Sequence, residues 1–477
     1  MTAKFRSLGG PRLGLLFLLV ASAALRLVLV SRGGQAFWSD ESRFAAALSA
    51  CSCFEAGASH QALKLLIGTA DHLGFKVLML GPAWLQIHVN HDNRFPSAII
   101  SLFSVANIFW VWRIARRTGA DEREAFWAAA AMACANSMFY WARHYMPYDV
   151  SLFWALACAS VALSPSPRTR DSLMAGFLGF LAFITYNGYW ATVACVLVAH
   201  VLLALPDWRS GRRRALLASA TLAGSFAILL AGAGLLGFNL LSSYRSFASS
   251  INQGNFDEGY LVFFDYLWRT ERFTALIWLA SFLSLGWLIR SCPAEDRLRG
   301  LIWAAIIAAL SGILIVGSNG LGLFVVYGRL ARQVAPFCSL LVGWTAARLF
   351  ARVGRWHPAE RVALAALFAC GAWSMATPLR MEFPVPFHER ALGAMIAYQK
   401  QHAADSAAVA PERFRFVYNG FIWPYPSETP LPNHYLLLLA SPHPLSWRPY
   451  LYEGFNRDQR DKIEATDITM RVILLQD

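Results

Sequence analysis

The chain is short of charge. Asp, Glu, Lys and Arg make up 15% of its 477 residues, against about 25% in soluble globular proteins. That deficit argues against an ordinary cytosolic enzyme and against a disordered chain, which stays unfolded through high charge and low hydrophobicity. Cysteine is scarce too: eight residues are too few in this length for a disulfide-built scaffold. The eleven histidines show no His-Glu-x-x-His or similar ligand spacing, so no zinc motif is visible. There is no Gly-rich phosphate loop and no Gly-x-Ser-x-Gly nucleophile turn. Acidic residues are the scarcer sign, 29 against 42 Lys and Arg, for a formal net charge of +13. Such an excess can mark a nucleic-acid binder. In a membrane protein it marks the loops that stay in the cytoplasm.

What is abundant is apolar sequence, at 57% of the chain. A transmembrane helix takes about 20 mostly apolar residues. The first such run is 13–30. A cleaved signal peptide would use Lys4, Arg6 and Arg12 as its basic region and Ala21-Ser22-Ala23 as its cleavage site. The run continues past that site through Arg26, and many spans follow, so it reads as a retained helix. Further spans are expected over 97–114, 123–140, 149–164, 172–187, 189–205, 215–237, 273–289, 300–317, 333–350 and 361–376, making eleven. The run 75–89 is shorter and contains Lys76, Pro82 and His88. Reading it as a juxtamembrane or re-entrant helix puts the basic clusters at Arg113/Arg116/Arg117, Arg168/Arg170, Arg209/Arg212/Arg213/Arg214, Arg290/Arg297/Arg299 and Arg348/Arg352/Arg355 on the inner face. The positive-inside rule favours that reading. Most of the +13 is then a topology signal rather than a nucleic-acid footprint.

The expected fold class is a polytopic α-helical membrane protein with an inside N-terminus. Residues 1–376 form the membrane domain, with long outer loops over 31–93 and 238–272. Residues 377–477 are rich in proline and turn signals and contain no span. They read as a small outer α/β domain, with a helix over 388–402 and strands over 413–422, 434–440 and 469–475.

Candidate chemistry gathers at the outer ends of the spans. Trp38-Ser39-Asp40-Glu41 follows span one. Its acids either cap a helix over 42–50 or serve as a surface carboxylate that accepts a hydroxyl proton or holds a metal. Lys64, Asp71, His72 and Lys76 follow, with the lysines snorkelling or pairing with a lipid phosphate. After span three comes a run from Tyr140 to Asp149, with Arg143, His144, Tyr145, Met146, Pro147 and Tyr148. An aromatic belt explains its rings but not its ionisable groups, which are functional candidates at this depth. A structural Arg143–Asp149 pair is the other reading. Asn187 ends span five beside Tyr186. Tyr327, Arg329 and Arg332 precede the tenth span, and arginine suits phosphate through paired charge-assisted hydrogen bonds. The loop 238–272 mixes aromatic and polar residues in a way that suits sugars, or is plain surface. Cys51 and Cys53 are either free or bridged.

In their order these motifs resemble the GT-C superfamily of membrane glycosyltransferases, nearest the glycosyltransferase family 39 type. Protein O-mannosyltransferases and aminoarabinose lipid A transferases are relatives. The carriers are Arg26 with Trp38-Ser39-Asp40-Glu41, then Arg94-Phe95-Pro96-Ser97, then Arg143 with Pro147 and Tyr148, then Arg332 with Pro336. They cover about the first 350 residues. The chain departs from the pattern at His72-Leu73-Gly74-Phe75, which lacks the family's prolines, and at Met146, where an arginine is usual. The resemblance implies sugar transfer from a polyprenyl-phosphate donor to lipid A, another glycan, a lipid or a protein. It places the reaction on the outer, periplasmic face of a bacterial inner membrane. With the residues above, it implies Asp40 as general base with Glu41 beside it. Lys76, Arg329, Arg332 and Arg143 would contact the donor phosphate. His72, Tyr148, Asp149, Asn187 and Tyr327 would contact substrate. A divalent metal at Asp40 and Glu41 is left open. A lipid or lipid-linked-sugar flippase and a membrane scaffold are the competing classes. A transporter gathers its charges near mid-membrane, whereas these sit at span ends.

Overall fold

The computed structural model describes residues 11–33, 35, 41–90, 92, 94–165, 167–204, 207–250, 260–324, 326, 328–351 and 357–380, with four strands beyond them. The chain enters through α1 (Pro11–Ser31), which runs unbroken past Ala21-Ser22-Ala23. Four short helices fill the first long loop: α2 (Ser42–Glu55), α3 (Ser59–Ile67), α4 (Leu73–Leu78) and α5 (Leu80–His88). The main bundle follows with α6 (Arg94–Arg117), α7 (Glu122–Ala133), α8 (Asn136–Tyr140), α9 (Pro147–Ala162), α10 (Thr169–Thr185), α11 (Trp190–Leu202) and α12 (Trp208–Leu235). The second long loop holds α13 (Leu240–Ser250) and α14 (Val262–Glu271). Then come α15 (Phe273–Leu288), α16 (Ala294–Ile315), α17 (Gly328–Ala331), α18 (Ala335–Leu349) and α19 (Pro358–Arg380).

Each expected span overlaps at least one helix. Among the described residues, six helical stretches rather than eleven are long and apolar enough to cross a membrane: Arg12–Ser31, Arg94–Arg117, Trp208–Leu235, Phe273–Ser291, Ala294–Gly320 and Pro358–Arg380. The helix Pro147–Ala162 and the segment Asn187–Leu202 are apolar but shorter. Only 6% of the apolar window of α12 is fully buried among the described residues, so that helix lies at the edge of the bundle. The expected span 123–140 is not continuous. It breaks after Ala133, and Ala135 is extended at ψ 111° before α8 begins. The run 75–89 forms α4 and α5 around Met79, and neither is long enough to cross.

The core forms around α7, where every residue from Glu124 to Ala133 is buried. Its Ala128-Ala129-Ala130-Ala131 run carries little side-chain bulk. Neighbouring backbones therefore approach closely, as small residues allow in membrane bundles. Gly343 of α18 sits at the tightest point. A methyl group there would lie 2.6 Å from the Glu124 carbonyl oxygen and 2.8 Å from the Ala128 Cβ.

The end of the bundle that carries the arginine clusters is knit by ion pairs. Arg123 donates to Glu360 at 2.6 and 2.8 Å. Arg299 pairs with Glu124 at 3.1 Å and Asp296 at 2.6 Å. Arg348 reaches Asp296 at 2.8 Å and also Glu124. Arg123, Glu124, Asp296, Arg299 and Arg348 line a cavity of about 960 Å³.

In the last hundred residues β1 (Arg415–Tyr418) and β2 (Phe421–Pro424) pair antiparallel, with Tyr418 opposite Phe421. The single strand expected over 413–422 is thus two. Asn419-Gly420, between them in the sequence, is the dipeptide favoured in two-residue hairpins. β3 (Tyr435–Leu438) pairs antiparallel with β4 (Arg471–Leu474). The helix expected over 388–402 lies outside the described residues.

Replacing Gly343 with Leu must push α18 off α7. Overpacking of this kind costs about 1–3 kcal/mol. We expect a lower thermal midpoint for Gly343→Leu in detergent or nanodiscs. Gly224→Ala serves as the control, since its Cβ would meet nothing within 4 Å. Equal melting of both variants would contradict this packing.

Candidate active site

The opposite end of the bundle gathers the candidate residues. Glu41 has helical backbone angles at the start of α2, but its side chain makes no capping hydrogen bond there. The capping role expected for it is not what its carboxylate does. The group turns inward, and Oε1 accepts the Tyr145 N–H at 2.8 Å. Oε2 lies 3.5 Å from His144 Nδ1. Glu41 is 3% exposed and His144 fully buried. Asp40, its sequence neighbour, lies outside the described residues, as do Trp38, Ser39 and Tyr327. Among the described residues no group of three or more His, Cys, Asp or Glu could hold a metal ion.

The aromatic residues at this level do not form a belt. Tyr140, Trp141, Tyr145, Tyr148, Tyr186 and Tyr189 are all buried and pack on one another. Trp141 meets Tyr148 edge-on at 4.9 Å, and Tyr148 meets Tyr186 at 4.8 Å. Tyr186 meets His72 at 4.9 Å. His144 stands 5.2 Å from Tyr140 and 5.5 Å from Trp141. The Arg329 guanidinium lies 5.8 Å over the Tyr148 ring, a cation–π distance. Asn187 lies in the turn between α10 and α11, and its buried amide oxygen has no hydrogen-bond partner among the described residues.

His72 closes the chain of contacts. It holds left-handed angles of φ 50° and ψ 41° just before α4, a conformation that strains a residue other than glycine. Its Nδ1 is 3.6 Å from Asp71 Oδ1, and Asp71 takes the Arg43 Nε–H at 3.0 Å. One turn on, buried Lys76 donates to Thr69 at 2.9 Å. Burial would raise the Asp71 carboxyl, but His72, Arg43 and Lys76 outweigh it and hold it below the ordinary value. Burial pushes the Lys76 ammonium down to about 8, with Asp71 opposing and Arg43 assisting. Gly74 lets α4 dock, since a Cβ there would be 2.9 Å from Ile184 and 3.0 Å from the backbone at Ile184 and Thr185.

Two of the expected phosphate ligands are engaged elsewhere. Arg143 is fully buried and donates to the carbonyls of Gly33 and Pro378. Arg332, also buried, pairs with Asp149 and reaches the Met138 sulfur. The alternative of an Arg143–Asp149 pair is therefore replaced by Arg332–Asp149. Arg26 lies close by, donating to Ser104 at 2.9 Å beside the Phe139 ring.

An apolar groove of about 450 Å³ runs alongside α4, between α10 and α12. Leu73, Gly74, Val77 and Leu78 line one wall, and Phe180, Ile184, Ile228 and Leu229 the others. In the larger cavity at the arginine-rich end, Arg123, Arg299 and Arg348 are answered by Glu124, Asp296 and Glu360. In loop 238–272, Gln253, Asn255, Asp257 and Glu258 lie outside the described residues. Cys51 and Cys53 are both free.

Sequence reasoning gave no role of their own to Arg43 and Tyr186 and passed over Glu271. Arg43 directly follows the Asp40-Glu41-Ser42 stretch, and its charge was the available signal. Tyr186 carried none beyond its neighbour Asn187. Glu271 was visible only as an acid just before an apolar run.

No protein-family model matches the sequence, and no curated protein does. Among solved structures the chain is similar to a crystal structure of ArnT from Cupriavidus metallidurans bound to undecaprenyl phosphate. The TM-score is 0.54 at 13% identity, over 87% of this chain and 85% of that one. The likeness bears out, at the level of the fold, the resemblance drawn from the motifs.

Removing the Asp71 charge leaves Lys76 with burial and Arg43 alone. Its titration midpoint, followed by NMR on ¹³C-methylated lysines, is expected near 8 in the wild type and lower in Asp71→Asn. An unchanged or higher midpoint would contradict this electrostatic arrangement.

Proposed function

We propose that the chain is a membrane glycosyltransferase that moves a sugar from a polyprenyl-phosphate donor to an acceptor on the outer face of the membrane. The observation that carries this is the two-sided character of α4. One side lines the apolar groove through Leu73, Val77 and Leu78. Lys76, on the same helix, is a buried cation beside Asp71 and His72. A ligand that satisfies both is an amphiphile with an anionic head and a long apolar tail. The ArnT structure, similar in fold, was solved with undecaprenyl phosphate, and the motifs resemble the superfamily that uses such donors.

The chemistry follows from the charges. Asp40 takes the proton of the acceptor hydroxyl as its oxygen attacks the anomeric carbon. The bond from that carbon to the phosphate oxygen breaks with inversion, and the electron pair leaves on the lipid phosphate. That leaving group needs charge stabilisation more than a proton. We assign this to Lys76, on the helix that lines the groove, and to Arg329, over the Tyr148 ring, while Arg332 pairs with Asp149 and Arg143 donates to backbone carbonyls. Glu41, held by the Tyr145 amide and beside His144, orients the Asp40 segment. Tyr148, Tyr186, His72 and Asn187 form the aromatic and polar surface for the sugar. A positioned general base contributes about 10²–10⁴ in rate. We further propose that residues 377–477 form a separate outer domain that helps select the acceptor, and that the membrane is a bacterial inner membrane.

The test is mass spectrometry of envelope glycans and lipids from cells with the wild type, without it and with Asp40→Asn. One sugar should disappear in both deficient strains while the variant remains folded in the membrane. Full transfer by Asp40→Asn would remove Asp40 as the base. An envelope unchanged by loss of the protein would count against glycosyl transfer and favour transport.

Phosphate binding should also depend on pH. Lys76 is charged below about 8 and neutral above it. Binding of undecaprenyl phosphate in nanodiscs should hold at pH 7 and weaken as pH rises through that value. Lys76→Arg, which keeps its charge, should flatten the profile. A flat wild-type profile would exclude Lys76 as the phosphate ligand.

A further inference from the structure

Glu271 belongs to no motif, and the reaction proposed above gives it no task. It ends α14, at the far end of the second long loop, and is fully buried. Both of its carboxylate oxygens are used on α8. Oε2 accepts the Asn136 N–H at 2.8 Å, and Oε1 accepts the Ser137 N–H at 2.9 Å. The first N–H groups of a helix need acceptors, usually a side chain at the N-cap. The N-cap of α8 is Ala135, which has no acceptor side chain. Glu271 supplies the cap from 135 residues away.

The rest of Glu271 is held as firmly. Its carbonyl accepts from Ser374 of α19 at 2.8 Å. The neighbouring Thr270 carbonyl accepts from the Asn136 side chain at 2.8 Å. Arg272, immediately after, has φ 54° and ψ −124°. A non-glycine residue in such a region costs about 1–3 kcal/mol and persists only when its surroundings impose it. Here the imposing contacts are those of Glu271 on one side and the start of α15 on the other.

What α8 carries gives this clamp its consequence. Met138, on α8, accepts from Arg332 through its sulfur and from Ser104 through its carbonyl. The helix leads through the turn Trp141–Arg143 to His144 and Tyr145, whose side chain and amide face Glu41. Glu271 also lies close enough to Arg332 to feel its charge. A shift at the start of α8 is therefore passed to both the Arg332–Asp149 pair and the Glu41 anchor.

We infer that Glu271 is a positioning residue, which caps α8 from the second outer loop and so fixes the turn that holds Glu41, the sequence neighbour of Asp40. Its effect on catalysis rests on the glycosyl-transfer reading. Its effect on α8 does not. The experiment compares wild type, Glu271→Gln, Glu271→Asp and Asp40→Asn in the full-length protein. Hydrogen exchange reports on residues 136–146, native mass spectrometry on retained undecaprenyl phosphate, and envelope analysis on sugar transfer.

Glutamine replaces one acceptor oxygen with a donor. Glu271→Gln should speed exchange over 136–146 by about tenfold or more while the spans keep their protection. It should lower sugar transfer by about tenfold or more, within the range a misplaced base loses, and leave lipid retention within about twofold. Glu271→Asp keeps both oxygens and should restore most of the transfer. Unchanged exchange over 136–146 in Glu271→Gln overturns the inference. So does a parallel loss of span protection and lipid retention, which would make the residue merely structural. If cells lacking the protein show an unchanged envelope while the exchange difference stands in the purified variants, the glycosyl-transfer reading fails and the clamp survives; if only Asp40→Asn leaves the envelope unchanged, Asp40 is not the base and the clamp again survives.

Discussion

The ion pair between Arg332 and Asp149 is the constraint around which the loop end of this bundle is built. Arg332 is fully buried and Asp149 is 3% exposed. Removing two charges from water costs several kcal/mol per ion, offset only by good mutual geometry and further hydrogen bonds. The structure supplies these from many directions. Asp149 stands in the first turn of α9, where helix N–H groups favour an anion. Asn107 of α6 ties down its backbone at 3.0 Å. Met138 accepts from Arg332, and Arg26 is held nearby through Ser104. Segments from α1, α6, α8, α9 and α17–α18 are thereby held in one arrangement.

The chemistry sits on that framework rather than within it. Two arginines that resemble phosphate ligands by motif have partners within the protein: Arg332 pairs with the buried Asp149, and Arg143 donates to the carbonyls of Gly33 and Pro378. Lys76 and Arg329 differ. Lys76 is weakly satisfied, with its charge depressed by burial, and Arg329 lies over an aromatic face. An incoming anion would repay both. The two ends of the bundle contrast in the same terms. At the arginine-rich end acids and bases neutralise each other across α7, α16, α18 and α19. At the loop end the charged groups sit among buried aromatic rings, and an apolar groove opens beside α4.

Much of this was legible in the sequence. The apolar runs gave the helices of the bundle, because a lipid environment requires about 20 apolar residues in a row, although among the described residues only six stretches are long enough to cross. Pro147 and Pro336 marked the starts of α9 and α18, where proline is tolerated in the first turn. The grouping of Glu41, His72, Lys76, Tyr148, Asn187 and Arg329 at one end followed from span parity. Parity could not reveal partners. Whether Glu41 capped its own helix or turned inward depended on where the Tyr145 amide came to lie, a hundred residues on. The break between α7 and α8 was hidden for a like reason: its cap comes from Glu271, and no local residue announces it.

The sequence by itself determined the environment and the cast: a lipid-embedded helical chain, with acids, lysine and aromatics gathered at one end of its spans. Composition and periodicity suffice for that, because burial in lipid acts on each segment independently. Only the tertiary structure decided the roles. Which arginine lies over an aromatic ring and which is locked to a carboxylate depends on contacts between residues far apart in the chain. So does which carboxylate holds a helix and which holds a loop. The cost of leaving a buried charge or N–H unpaired is what fixes those contacts once the helices meet.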